Sequence, residues 1–288
     1  MIFDDHAVGD DWNVSAAWVK EIRHQRHWKD QIAGGHVSYA VYQHLGNLPA
    51  GELEEDDLYA EMRADDDAWS LLREAAHQPH RDSTVARWRY GRALGNVRLL
   101  VVDSRGGRVL EEGHRSMVDT DGWVWIEERA TGGVDHHHLF LGTSLPLMLG
   151  PGMHHLQAWN ERVCSGAWSR RAVRWAENLC RSQDLDHCAS FHDSFRQTSE
   201  LVKGVATGGR GAPPSTVLVL SGDVHNGYLA EAVFRVTKPS AASIRRSEPP
   251  CATSCRARNS ASSSSPKTGP PPSPRACSPG RRAPRGKT

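Results

Sequence analysis

Two short clusters place acids and a histidine close enough together to share one cation. The first, Asp223-Val224-His225, follows the apolar run Val217-Leu218-Val219-Leu220. A strand there would deliver both side chains at its carboxyl end, the edge where open α/β sheets bind ligands. Carboxylate and imidazole at i and i+2 suit zinc, iron or manganese. The alternative is a turn aspartate beside an exposed histidine. The second cluster, Asp4-Asp5-His6, follows Met1-Ile2-Phe3, with Asp10-Asp11 just beyond. Carboxylates crowded at a strand end are costly without a cation; the alternative is a solvated acidic segment. Three further groups carry weaker signals. His136-His137-His138 is a metal tract or a polar strand entry, and His154-His155 lines a pocket or starts a helix. Arg105, in Asp103-Ser104-Arg105, clamps a phosphate or carboxylate through its fork, or closes a turn salt bridge. The sequence has no G-x-S-x-G elbow, P-loop or G-x-G-x-x-G.

The elements needed to position these groups are legible as alternating patterns. Val97 to Val102, Leu139 to Leu141 and Val217 to Leu220 are apolar runs closed by glycine-containing turns. They read as strands buried on both faces, and Met1-Ile2-Phe3 as the stub of another. Helical patterns cover Ser15 to Ile32, Leu58 to Ala76, Leu156 to Val163, Arg170 to Cys180 and Ser190 to Lys203. The last should stop near Gly204, where a linker to Pro214 begins. Alternation of this kind predicts α/β layers.

Charge divides the chain of 288 residues. From Lys238 onward there are 11 Lys and Arg against the single acid Glu248, while residues 1 to 237 carry a net charge of −9. An acidic body therefore precedes a basic tail, which excludes a uniformly basic nucleic-acid-binding domain. The tail holds 10 of the 16 prolines and almost no large apolar residue, so disorder is expected over 238–288. No stretch approaches 18 apolar residues, and no signal peptide precedes the body, which gives a cytoplasmic expectation without a membrane span. The six cysteines lack paired C-x-x-C spacing and read as free thiols.

Taken together, residues 1–237 resemble the alkaline phosphatase D (PhoD-like) family of metallophosphoesterases. The resemblance rests on Ile2-Phe3-Asp4-Asp5-His6 with Asp10-Asp11-Trp12-Asn13, on Ser38-Tyr39 to Asn47-Leu48, and on Val102-Asp103-Ser104-Arg105. It continues through Gly142-Thr143-Ser144-Leu145-Pro146, His154-His155-Leu156 to Trp159-Asn160-Glu161, and Leu220-Ser221-Gly222-Asp223-Val224-His225. It implies a sandwich of two mixed β-sheets flanked by helices, with two or more divalent or trivalent metal ions at the strands' carboxyl ends. Iron, calcium, manganese and zinc all stay open. Asp5, Asp223 and His225 would be metal ligands, Asp4 a ligand or the hydrogen-bonding partner of one. His6 would stand near the leaving group, and Arg105 would contact the phosphate. The implied substrates are small phosphate esters or phospholipids, with no specific nucleic acid; the oligomeric state is not implied.

The departures from the family are also informative. Its first metal motif, a Gly-Asp with a following Tyr, lies upstream of Asp-Asp-His, so the resemblance implies a chain truncated at its N-terminal side. After Val233-Phe234 the family pattern stops, and Ala241 to Ser247 resemble a one-base shifted reading of the family's continuation. Three functions follow: a metal-dependent phosphoesterase, an inactive remnant of one, or a binding protein acting through its basic tail.

Overall fold

The computed structural model describes residues 1–64, 66–70, 72–73, 88–111, 114–131, 136–222, 227–235 and 252–258, with 235 and 252–258 as backbone only. It is an α/β structure built on one mixed sheet. The strands are β1 (Tyr90–Leu94), β2 (Val97–Val101), β3 (His138–Thr143), β4 (Thr216–Ser221), β5 (Leu229–Arg235) and β6 (Ala252–Arg258), in the order β1-β2-β3-β4-β6-β5. β1 and β2 form an antiparallel hairpin across Gly95, whose φ of +58° suits a residue without a side chain. β2, β3 and β4 run parallel, joined by helical crossovers. β6 pairs antiparallel with β4 and parallel with β5.

The helices are α1 (Ala16–Ile22), α2 (Trp28–Tyr39), α3 (Leu45–Asn47), α4 (Ala50–Glu54), α5 (Asp57–Ala64), α6 (Thr120–Thr131), α7 (Pro151–Arg162), α8 (Arg170–Ser182) and α9 (His192–Ala206). The side-chain period of two sorts the central strands. Leu100, Leu141 and Val219 stand in register and are buried against Met117 and Ile126 and against Leu201 and Val205 of α9. The opposite row, Leu99, Phe140 and Leu218, is only half-buried. A second aromatic core gathers Phe3, Trp12, Trp18, Trp28, Tyr39 and Trp88. In it, Phe3 meets Tyr39 edge-on at 4.8 Å and stacks on His36 at 5.3 Å.

Four expectations change. The described residues contain one sheet, not the two of a sandwich, and so the Leu99–Phe140–Leu218 row lacks a covering sheet. Met1-Ile2-Phe3 joins no strand among the described residues. Side chains occupy its backbone instead: Tyr39 Oη (3.2 Å) and Asn47 Nδ2 (2.9 Å) both donate to the Met1 carbonyl. The long helix expected from Ser15 is two helices, because the polar run from 23 to 27 offers no apolar anchor between Ile22 and Trp28. Within the tail expected to be disordered, Ala252–Arg258 forms β6. Composition speaks of side-chain burial, whereas β6 satisfies backbone groups along the edges of β4 and β5.

Candidate functional site

Phe3 fixes the first cluster by burying its ring, 1% exposed, in the aromatic core. The chain leaves it extended at Asp4 and tightens into a 3-10 turn over Asp5–Ala7. The turn is closed from outside by α2. A methyl added to Gly35 would lie 2.5 Å from the Ala7 carbonyl oxygen, so only glycine lets helix and turn approach this closely. One ligand atom from each of Asp4, Asp5 and His6 lies within 4.8 Å of the others. His6 Nδ1 is 2.9 Å from Asp5 Oδ1 and 3.7 Å from Asp4 Oδ2. Asp5 is buried, Asp4 half-buried and His6 exposed.

Behind the cluster stands Arg105, 1% exposed. Nε faces Asp4 Oδ1 at 3.4 Å, Nη2 faces Asp5 Oδ2 at 3.3 Å, and Nη1 faces Asp186 Oδ2 at 2.5 Å. Three carboxylates thus surround a guanidinium with no solvent-facing edge, and the fork read as a clamp for phosphate or carboxylate here holds an internal ion-pair network. Arg108 extends it. Its Nη1 donates to the same Asp186 oxygen at 3.0 Å and to the Asn13 carbonyl at 3.2 Å. Its Nε donates to the Ser104 carbonyl at 3.1 Å, and its guanidinium lies over the Phe191 ring.

These contacts set the protonation states. Burial pushes the Asp5 carboxyl up, and the Arg105 guanidinium pulls it back only in part. Burial would also raise Asp186, but Arg105 and Arg108 outweigh it and hold that carboxyl at about 2. Asp11 is pushed up to about 6 by burial and by neighbouring carboxylates, Asp10 first. Asp11 and Asn13 both take positive φ, 64° and 63°, in the loop that carries Asn13 to the Arg105 carbonyl (2.9 Å).

The carboxyl ends of the parallel strands are stitched beside this network. Ser104, after β2, shares hydrogen bonds of 2.9 Å with the hydroxyls of Thr143, the last residue of β3, and Ser144, the next one. Gly222, after β4, donates its N–H to the Ser144 carbonyl at 3.1 Å. Asp103 is bound by the N–H groups of Trp88 (3.2 Å), Arg105 (3.2 Å) and Gly106 (2.7 Å). Burial raises its carboxyl despite these donors. Its role is to shape the turn that aims Arg105.

Two carboxylates and an imidazole fit one divalent cation of the zinc, manganese or iron type. Both Asp5 oxygens already have internal partners, so Asp4 and His6 are the donors turned outward. Asp223 and His225 lie outside the described residues; Gly222, the residue before them, stands at the same sheet edge. The structure therefore brings together Asp4, Asp5, His6 and Arg105. Of the weaker candidates, His138 opens β3, and His154 and His155 lie near the start of α7, His154 against the Phe195 ring at 4.6 Å. Asp186 and Arg108 were missed by sequence reasoning. Neither sits in a patterned motif, and their pairing spans 78 residues.

Among the described residues, no helix is long and apolar enough to cross a membrane. Cys164, Cys180 and Cys188 are free thiols. No family model matches the chain, and no curated protein or solved structure shows significant similarity to it.

Proposed function

We propose that the chain is a metal-dependent phosphoric ester hydrolase of the PhoD-like metallophosphoesterase type. The observation that carries this reading is the gathering of Asp4, Asp5 and His6 beside the carboxyl ends of β2, β3 and β4. Asp223 and His225 follow β4 directly in sequence, one and three residues after Gly222. A span of three residues reaches at most about 11 Å, which limits how far His225 can stand from that edge.

Asp4, Asp5, Asp223 and His225 would hold the metal ions. A divalent ion, when bound, supplies charge neutralisation for the phosphate and acidifies water. His6 is oriented by Asp5: with Nδ1–H donated to Asp5 Oδ1, Nε2 is the ring atom that would exchange a proton with a leaving oxygen. Arg105 acts on the substrate only indirectly, by holding the Asp4 and Asp5 carboxyl groups in place. Substrates are small phosphate esters or phospholipids.

The same ion pairs favour a second reading, an inactive remnant, because Arg105 already neutralises the carboxylates that a metal would claim. One experiment separates them. The full chain is loaded with manganese, zinc, calcium or iron, and hydrolysis of p-nitrophenyl phosphate and its diester is followed, with metal content measured in parallel. Activity that falls at least about 100-fold in Asp4→Asn and His225→Ala supports the enzyme. Absence of both uptake and turnover selects the remnant, whose carboxylates stay paired with Arg105. Metal uptake without turnover of either ester removes the phosphoesterase reading.

A further inference from the structure

We infer that the corner formed by α7 and α8 is a docking surface for an anionic lipid bilayer. The corner is independent of the candidate site. It consists of α7, a π-turn over Val163–Ala167 in which Gly166 takes φ +87°, and α8 capped by the Ser169 hydroxyl. Two observations made separately meet there.

The first is apolar. Trp168 is 62% exposed and Trp175 55%, and both rings pack edge-on against Trp159, at 5.7 and 5.9 Å. Met153 and Leu156, on the same helix as Trp159, are exposed as well. Large apolar side chains clustered on a helical corner mark an interaction surface, unlike apolar residues scattered singly.

The second is electrostatic. Arg170, Arg171 and Arg174 are exposed on α8 and make no ion pair among the described residues. The one acid from Trp168 to Ser182 is Glu177, and it is drawn onto the Ser15 hydroxyl. Arg170 and Arg171 open the helix, where the dipole disfavours positive charge, and Arg170 and Arg174 are like charges at i, i+4. Both features cost stability and call for an anionic partner. This positive stripe lies on a body whose net charge is −9 over residues 1 to 237.

Arginine beside exposed tryptophan fits two anionic surfaces. Single strands of nucleic acid are bound in positively charged grooves with stacking platforms. Here the rings pack edge-on against one another along an exposed helical corner, with Met153 and Leu156 extending the apolar part. That is the composition of a helix lying in a bilayer interface, with aromatic and aliphatic side chains entering the headgroup boundary and arginines on the anionic headgroups.

The test is co-sedimentation of the full chain with vesicles of phosphatidylcholine alone or with 30% phosphatidylglycerol (roughly the charge density that polybasic segments respond to). Three proteins are compared: wild type, Arg170→Gln/Arg171→Gln/Arg174→Gln, and Trp168→Ser/Trp175→Ser. All five changes lie at exposed positions, and circular dichroism checks that the variants fold. Each arginine near an anionic surface is worth about fivefold, so the arginine variant should lose on the order of 100-fold in partitioning. The tryptophan variant should lose at least about tenfold. Wild-type binding to the anionic vesicles only, with both losses, is the expected result. Equal binding to both vesicles, no binding, or binding unchanged in the variants would overturn the proposal; the last outcome would assign binding to the basic tail. A single-stranded oligonucleotide captured through these residues while vesicles are not, or dimerisation lost with the tryptophans, would also overturn it.

Discussion

Replacing Asp186 isolates the charge that holds the candidate site together. Its Oδ2 accepts from Nη1 of both Arg105 and Arg108, two guanidiniums that are each 1% exposed. Arg105 has Asp4 and Asp5 in reserve, whereas Asp186 is the carboxylate that Arg108 pairs with. Asp186→Asn keeps an oxygen in place and removes only the charge. The depression of the carboxyl from 3.8 to about 2 then sets the loss at neutral pH to roughly 2 kcal/mol. Asp186→Ala also leaves the guanidiniums without that acceptor, and breaking a buried pair from one side costs about 3–5 kcal/mol. The sign with pH follows from a depressed carboxyl. The stabilisation is full above 3.8 and is lost as pH falls through about 2, so the gap between wild type and Asp186→Asn should shrink to about half by pH 3. Urea unfolding followed by tryptophan fluorescence measures this, with Arg108→Met added to Asp186→Asn as the compensating pair. A neutral-pH difference below about 0.5 kcal/mol, or a gap that widens on acidification, would refute the assignment of Asp186 as the essential counter-charge.

Three further outcomes are expected. Gly106→Ala would place a methyl 2.7 Å from Asp103 Oδ2 and drive the carboxylate off its N–H donors, lowering stability by about 2 kcal/mol in the same unfolding assay. Gly35→Ala would meet the Ala7 carbonyl at 2.5 Å and Val8 Cα at 2.8 Å; the displaced turn should weaken metal uptake, read by calorimetry, together with stability. Glu161 accepts the N–H of His192 at the start of α9, and burial pushes it up to about 7. Its protonated form is thus favoured in the fold, and stability should decline as pH rises from 4.5 through about 7. Glu161→Gln should flatten that slope and gain on the order of 1 kcal/mol above pH 7, allowing for partial exposure.

The parallel core was legible because β2, β3 and β4 are short β-branched or leucine-rich runs ending in glycine turns, and those signals are local. Ser15 was legible as a helix start because its hydroxyl accepts from Trp18 N–H. β1 was not read, since Tyr90-Gly-Arg-Ala-Leu carries no β-branched residue and owes its strand state to pairing with β2. Nor was α6, where Thr120-Asp-Gly-Trp places glycine in the first turn. In the site, Asp4, Asp5 and His6 were visible as adjacent residues. Arg105 was legible as a fork for phosphate or carboxylate, but which carboxylates it meets was not. A guanidinium fork binds phosphate and carboxylate alike, and only the tertiary packing reveals that three carboxylates already surround it.

That packing bears on when the site comes into being. Arg105 joins Asp4 across 101 residues and Asp186 across 81, while Arg108 reaches the Asn13 carbonyl across 95. No short piece of chain can assemble the network. During synthesis Asp4 and Asp5 emerge long before their guanidinium partner, and Arg105 and Arg108 emerge before Asp186 can balance them. Contacts of such sequence separation are slow to form, because loop closure is unfavourable until several strands have docked. The hydroxyl stitches at the strand ends must settle first, and the ion-pair network closes late in folding together with the aromatic core around Phe3. Its formation is therefore a marker of the completed fold: refolding followed at Trp12 or Trp88, beside this network, should reach its end value after helical signal has returned.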